Sequence, residues 1–263
     1  MFYKTLISAI IATATTLSIN SVNAQDFDHS HRSESNIERD EFRKPFETLE
    51  FFGVEPDDKV IEIRPGGGWY TEILAPYLYD GEVIAAHYPL DAKSDYQRGS
   101  RERYEQKINS SDVYNNVTIT DFVFGEPVSE VATNADSVLV FRALHGMQVN
   151  GNLAEAFVKF KQMLKSGGTL GIVQHEAPEN YSAIGTASKG YLPKSHIIAV
   201  AQAAGFVLEA ESYMHKNPKD KILQNDIQRG VWALPPTLAV DELKDELKDV
   251  GESNRITLLF RLH

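Results

Sequence analysis

The chain has 263 residues, 24% of them charged, with a formal net charge of −11 and no cysteine. That length suffices for one α/β domain with a full core. The lack of cysteine excludes disulfides and thiolate metal sites, and the acidic balance argues against electrostatic binding of nucleic acid or anionic lipid.

Residues 1–24 read as a secretory signal peptide. Lys4 is followed by an apolar run from Leu6 to Leu17, and Val22-Asn23-Ala24 supplies small residues for cleavage before Gln25. The run is too short and too rich in threonine for a membrane span. Cleavage removes one positive charge, so the expected exported domain, periplasmic or secreted, is slightly more acidic than the whole chain, with no membrane attachment left. Residues 25–35 are polar and without apolar period, and are expected to form a disordered lead in which His29 and His31 are solvated. The domain proper is expected over 36–263.

Asn36 can cap a helix running to Phe52, with Phe42, Phe46, Leu49 and Phe52 on one face and Gly53 as its stop. Val60–Ile63 is a buried strand with one acid, Glu62. Arg64-Pro65 breaks it, Gly66, Gly67 and Gly68 follow, and Ile73, Leu74, Tyr77 and Leu78 mark a helix. Further strands are expected at Glu82–His87, Val117–Val123, Ala135–Phe141, Thr169–Val173, Phe206–Tyr213 and Arg255–Leu262. Helices are expected at Ser94–Ile108, Asn152–Leu164 and Pro193–Ala204, and an insertion at 217–253 precedes the last strand. Alternating strands and helices imply right-handed crossovers and a mostly parallel sheet, with either direction open to the last strand.

The glycine turn lies at the carboxyl end of the first strand, where open α/β sheets bind small molecules. A phosphate-cradling loop needs Gly-Lys-Ser/Thr, but Trp69-Tyr70 follows Gly68. A dinucleotide fingerprint would want Gly or Ala at Thr71. A phosphate-free nucleoside is the remaining option, because it needs close backbone and no anion nest.

The stretch Val60 to Tyr79 resembles the first motif of class I S-adenosylmethionine-dependent methyltransferases. PGGGWYTEILAPYL is similar to a branch of exported methyltransferases, and RALH (142–145), LKSGGTLGIVQHEAP (164–178) and AAGFVLEAES (203–212) fit the same branch. The resemblance covers Glu38 to Leu262. It implies a Rossmann-like α/β fold, a seven-stranded, mostly parallel sheet with helices on both faces and an antiparallel last strand. It also implies S-adenosyl-L-methionine as cofactor and methyl transfer to a small or medium-sized acceptor. By correspondence Glu62, Gly66, Gly67 and Gly68 fall on cofactor-binding positions, with His87 at the ribose position and Asp121 or Phe122 near the adenine. Two positions depart from the pattern. Arg64 replaces a glycine, and His87 replaces an acid that would grip a diol; a neutral imidazole accepts only one hydrogen bond.

His87, His145 and His175 stand at or just after the carboxyl ends of three expected strands. His145 or His175 is a candidate general base. A metal site of imidazoles with Glu176 is the rival, without a zinc-binding spacing to support it, and satisfied structural histidines are the third reading. Glu62 has its own structural alternative, tying down the turn. An enzyme acting on a small molecule therefore competes with the same fold used as an exported ligand- or metal-binding protein.

Overall fold

The computed structural model describes residues 27–262; the expected signal peptide and the first residues of the lead lie outside that range. An eight-stranded sheet forms the centre. Its strands are β1 (Lys59–Ile63), β2 (Glu82–His87), β3 (Val117–Asp121), β4 (Ala135–Phe141), β5 (Leu164–Ala177), β6 (Leu192–Pro193), β7 (Phe206–Ser212) and β8 (Arg255–Leu262). The order is β3-β2-β1-β4-β5-β8-β7, with β6 added to the end of β5. Strands β3 to β5 in that order are parallel, and β8 runs antiparallel to both β5 and β7. The last strand therefore takes the antiparallel option. The two-residue β6 was not expected, because it is too short to show a period.

Helices cover both faces. α1 (Glu34–Ile37), α2 (Asp40–Arg43), α3 (Pro45–Phe52) and α4 (Thr71–Tyr77) precede β2; α5 (Asp95–Ile108) precedes β3. α6 (Leu144–Val149), α7 (Leu153–Met163), α8 (Ala183–Ala187), α9 (Lys194–Ala203) and α10 (Lys244–Lys248) follow in order. Period-two alternation in the strands separates two cores. Ile61, Ile63, Val138, Val140, Leu170 and Ile172 face α7 and α9 through Phe157, Phe160 and Ile197. Val60, Val83, Leu139 and Val173 face α3 and α4 through Leu49, Phe52, Ile73 and Leu74.

The single helix expected over 36–52 is instead three short ones. Pro45 opens α3 and forbids helical backbone at Lys44, which takes φ 41°. Residues 27–35 also depart from the expected disordered lead. Phe27 is buried in the α3–α4 core, and Arg32 reaches Asp40 at 2.7 Å and Glu72 at 3.4 Å. The lead is polar because it is held by ion pairs rather than by an apolar stripe, so no period betrays it.

The insertion carries its own small core, in which Ile222, Leu223, Ala233, Leu234 and Leu247 pack with Ala177 and Tyr191. Its two ends are pinned by the Asn217 amide, which donates to Val250 O at 2.8 Å and Glu252 O at 2.7 Å. Asn217 is therefore a clasp at the neck of the insertion.

α3 lies so close to the sheet that a Cβ on Gly171 would sit 2.6 Å from the Phe52 ring and 2.8 Å from Leu139. Gly171→Val is expected to cost about 1–3 kcal/mol by overpacking. Phe52→Leu in the same chain should recover part of that loss, giving a favourable coupling in a urea-unfolding double-mutant cycle. Additive effects would show that the two positions do not share the space.

Candidate functional site

A cavity of about 710 Å³ opens at the carboxyl ends of β1, β4 and β5, within the usual range for ligand sites. The glycine turn forms one wall, residues 142–150 a second, the insertion tip at Trp232 to Thr237 a third, and Glu252, Ser253 and Arg255 the floor beside β8.

The turn is built in two layers. Beneath it, Thr71 Oγ1 donates to Glu62 Oε2 at 2.6 Å, clasping the first turn of α4 to β1. Burial pushes the Glu62 carboxyl up to about 7, against the Thr71 hydrogen bond and the Lys107 charge. Gly68 presses against α5, where a Cβ would meet the Tyr104 ring at 3.1 Å. Above, Gly66 takes φ 64°, and a Cβ added at Gly66 or Gly67 would meet no atom within 4 Å. Both glycines line the cavity, so this part of the turn offers open backbone to a ligand.

His87 is fully buried and belongs to the lower layer. Its Nδ1 accepts from Tyr88 N at 2.7 Å, so Nε2 carries the proton and donates to Gly66 O at 3.2 Å. Burial lowers it to about 4, which keeps the ring neutral. Both nitrogens are committed to holding the turn. Asp121 pairs with Arg101 at 2.7 Å, and Phe122 packs in the core against Phe160; neither lines the cavity. The polar groups on the β2 side that do are Tyr88, Ser94, Tyr96 and Gln97. Trp69 is an anchor: its Nε1 donates to Asn36 O at 3.1 Å and its ring joins the α3–α4 core.

His145 and His175 do meet, with ring centroids 5.9 Å apart, and both line the cavity. Gln174 orients His145. Its Oε1 accepts from Leu144 N at 3.2 Å, which turns its amide nitrogen toward His145 Nδ1 at 3.3 Å. His145 Nε2 therefore carries the proton. Burial, then Arg142, lowers His145 to about 4. His175 Nδ1 lies 2.5 Å from Ser253 Oγ, which also accepts from Arg255 Nε at 3.3 Å. Burial and the neighbouring Arg142 and Arg255 hold His175 well below its ordinary value. Both imidazoles are neutral at pH 7. Glu176 is turned away, taken up by Lys216 and Asn254. Among the described residues, no group of three or more His, Asp or Glu is placed to hold a metal ion.

Sequence reasoning singled out Arg64 as a departure from the motif, gave Arg142 no role of its own, and missed Arg39, Arg43 and Arg255. Arg39, Arg43, Arg64, Arg142 and Arg255 all line the cavity, with Glu252 as the one carboxylate among the lining residues. Arg39 and Arg43 stand one helical turn apart, a visible signal. Their partners Glu252 and Arg255 lie more than 200 residues away, which no spacing rule reaches.

No protein-family model matches the chain, and no curated protein does. Solved structures do match. A SAM-dependent methyltransferase of Aquifex aeolicus aligns over 90% of this chain and 100% of its own, with a TM-score of 0.55 at 13% identity. The chain shares the fold of that methyltransferase. A cyclopropane-fatty-acyl-phospholipid synthase-like protein of Lactobacillus casei aligns over 86% of this chain and 91% of its own (TM-score 0.53, 14% identity). The cyclase SpnF aligns over 84% and 80% (TM-score 0.55, 14% identity). At these identities the likeness is one of fold.

The raised Glu62 carboxyl sets a pH dependence. Because the fold favours its protonated form, its stabilising contribution is complete below the unfolded value near 4.5 and is lost as pH rises through about 7. Glu62→Gln keeps an acceptor for Thr71 without the charge. Its stability relative to the parent should rise by about 3 kcal/mol between pH 4.5 and 8 in urea unfolding. A difference independent of pH would mean that Glu62 ionises normally in the fold.

Proposed function

We propose that the chain is an exported protein that binds S-adenosylmethionine at the glycine turn and transfers its methyl group to a small acceptor in the same cavity. The observation that carries this reading is the open backbone of Gly66 and Gly67 facing a cavity of about 710 Å³, in a fold whose solved neighbours include a SAM-dependent methyltransferase. Export rests on the signal-like residues 1–24.

The lining suits the cofactor in part through substitutes. His87 has no free nitrogen for a ribose, and Asp121 is held by Arg101. Ser94 and Gln97, which line the cavity near the start of α5, are the available partners for the ribose hydroxyls, with Tyr88 and Tyr96 beside them for the base. When bound, S-adenosylmethionine supplies a methyl group activated by a sulfonium. The remaining work falls to the chain: aligning the acceptor and taking up any proton it loses. His175 is neutral and in contact with the Ser253 hydroxyl, so this pair is the route for a proton. His145 presents an N–H and acts as a donor. With Arg142 and Arg255 opposing an imidazolium, His175 is a weak base, which favours acceptors that arrive already ionised.

A second reading has one specific observation behind it. The commitment of His87 to Gly66 O removes the usual place for a ribose grip, as expected of a methyltransferase fold retained only for ligand binding.

Thermal shift separates the two. Saturating S-adenosylmethionine or S-adenosylhomocysteine, at about a hundredfold over the dissociation constant, should add about 2.7 kcal/mol of apparent stability. Gly67→Leu should fold with a near-parental melting temperature, since its side chain meets open space, and should lose that shift. No shift in well-folded parent protein would refute cofactor binding and leave the second reading.

A further inference from the structure

The cavity is strongly cationic in an acidic protein. Its lining holds five arginines against one glutamate, while the whole chain carries −11. Three of the arginines share the one carboxylate. Arg39 Nε donates to Glu252 at 2.6 Å, Arg43 Nε at 3.1 Å, and Arg255 Nη2 completes the set. Burial raises the Glu252 carboxyl, but Arg255, Arg43 and Arg142 outweigh it and hold it well below the usual range. Arg43 nonetheless keeps an unsatisfied Nη2, although the residue is only 2% exposed.

Arg64 and Arg142 make no ion pair among the described residues. Arg64 rests its guanidinium 4.0 Å over the Tyr88 ring, and its buried Nε has no partner. Arg142 lies close enough to Arg255 that burial and this like charge lower it to about 10. The two arginines follow neighbouring parallel strands, whose ends are in register at Ile63 and Val140. Both take left-handed backbone, at φ 51° and 59°, a conformation unfavourable for a long side chain. Burying guanidinium groups without counter-charge is costly, and here they share one cavity with the N–H of His145 and with neutral His175. The lining is rich in donors and poor in negative charge.

We propose that this cavity selects a small molecule carrying at least two anionic groups, carboxylate or phosphate, held by Arg43, Arg64 and Arg142. Naming that molecule as the methyl acceptor rests on the methyl-transfer reading; its binding does not. The nucleoside brings no net negative charge to the arginines. Its amino-acid end is zwitterionic and its sulfonium is positive, so its arrival adds to the excess. A concave site walled by the insertion in an acidic protein suits a small anion rather than a membrane or a nucleic acid. Guanidinium groups bind carboxylate and phosphate through paired hydrogen bonds, so both chemistries satisfy the same donors.

Calorimetry on the full chain tests this at constant ionic strength. The probes are succinate and citrate in one arm, inorganic phosphate and pyrophosphate in the other, and neutral glycerol and cationic putrescine as controls. One anionic arm should bind saturably, more weakly as sodium chloride rises, and about tenfold or more weakly to Arg142→Gln and Arg64→Gln. Ligand-free Arg142→Gln should melt no lower than the parent, because Arg142 makes no ion pair among the described residues and its burial and the like charge of Arg255 outweigh the attraction of Glu252. The proposal is overturned if neither anionic arm binds more than the controls, if both variants bind like the parent, or if Arg142→Gln melts several degrees lower, which would make Arg142 a structural residue. Nucleoside binding is measured separately. Anion binding without a nucleoside shift upholds this inference and removes the methyl-transfer reading; a nucleoside shift without anion binding does the reverse.

Discussion

The Glu252 carboxylate joins parts of the chain more than 200 residues apart. Arg39 and Arg43 come from the N-terminal helices, and Arg255 opens the last strand. The cluster therefore ties the N-terminal helices to the floor of the cavity at the start of β8, a contact that the parallel sheet alone does not place. Taking these charges out of water is expensive, and a buried ion pair often stabilises less than an apolar contact of the same size. Its value lies in geometry. Asn217, bonded to the Glu252 carbonyl, extends the clasp to the neck of the insertion. N-terminal segment, insertion and β8 thus converge on one residue, and the cavity exists because they do.

The strand ends around the cavity divide into struts and lining. Glu62, His87 and Gly68 serve the fold: one ties α4 to β1, one props Gly66, one admits α5. Gly66, Gly67, Arg64 and Arg142 face the open space. The division follows from register. His175 and Arg255 reach the cavity from a paired position of β5 and β8, whereas on the parallel strands β1 and β4 the chain turns into the crevice past the last paired position. Arg64 and Arg142 sit just past it, with left-handed backbone, which sends the chain sharply over the sheet edge.

Much of the fold was legible. The spans that the sequence predicts for the last strand, Arg255–Leu262, and the second, Glu82–His87, are the spans they have, because each is a near-continuous apolar run set off by turn residues such as Asp80-Gly81 and Gly251. The N-terminal region was misread for two reasons. Pro45 cuts a helix whose apolar period runs on past it, and Arg32 is buried by ion pairs that leave no trace in hydropathy. The site was legible only where chemistry is local. The glycine turn and the pairing of His145 with His175 follow from short segments at strand ends. His87 was visible as a departure, but its role as a strut depends on Gly66 O, on the neighbouring strand. The arginine cluster is assembled from the two ends of the chain, and in a sequence of net negative charge its members look like ordinary surface cations.

The fold by itself leaves the chemistry open, since its solved neighbours include a methyltransferase and a cyclase by name. The lining is more informative. An unpaired cation in a cavity is repelled by its like-charged neighbours, and almost any neutral residue there would lower that repulsion. This chain instead keeps five arginines around one carboxylate, and holds two of them on unfavourable backbone. Strain and uncompensated charge in the same few residues are what a site looks like before its ligand arrives. The glycine turn says that something approaches the backbone closely; the arginines say that something else in the cavity is negative. Under the proposed reading, a methyl donor bearing a sulfonium would meet the first demand and worsen the second, so the two demands would fall to two ligands, the arrangement that group transfer requires.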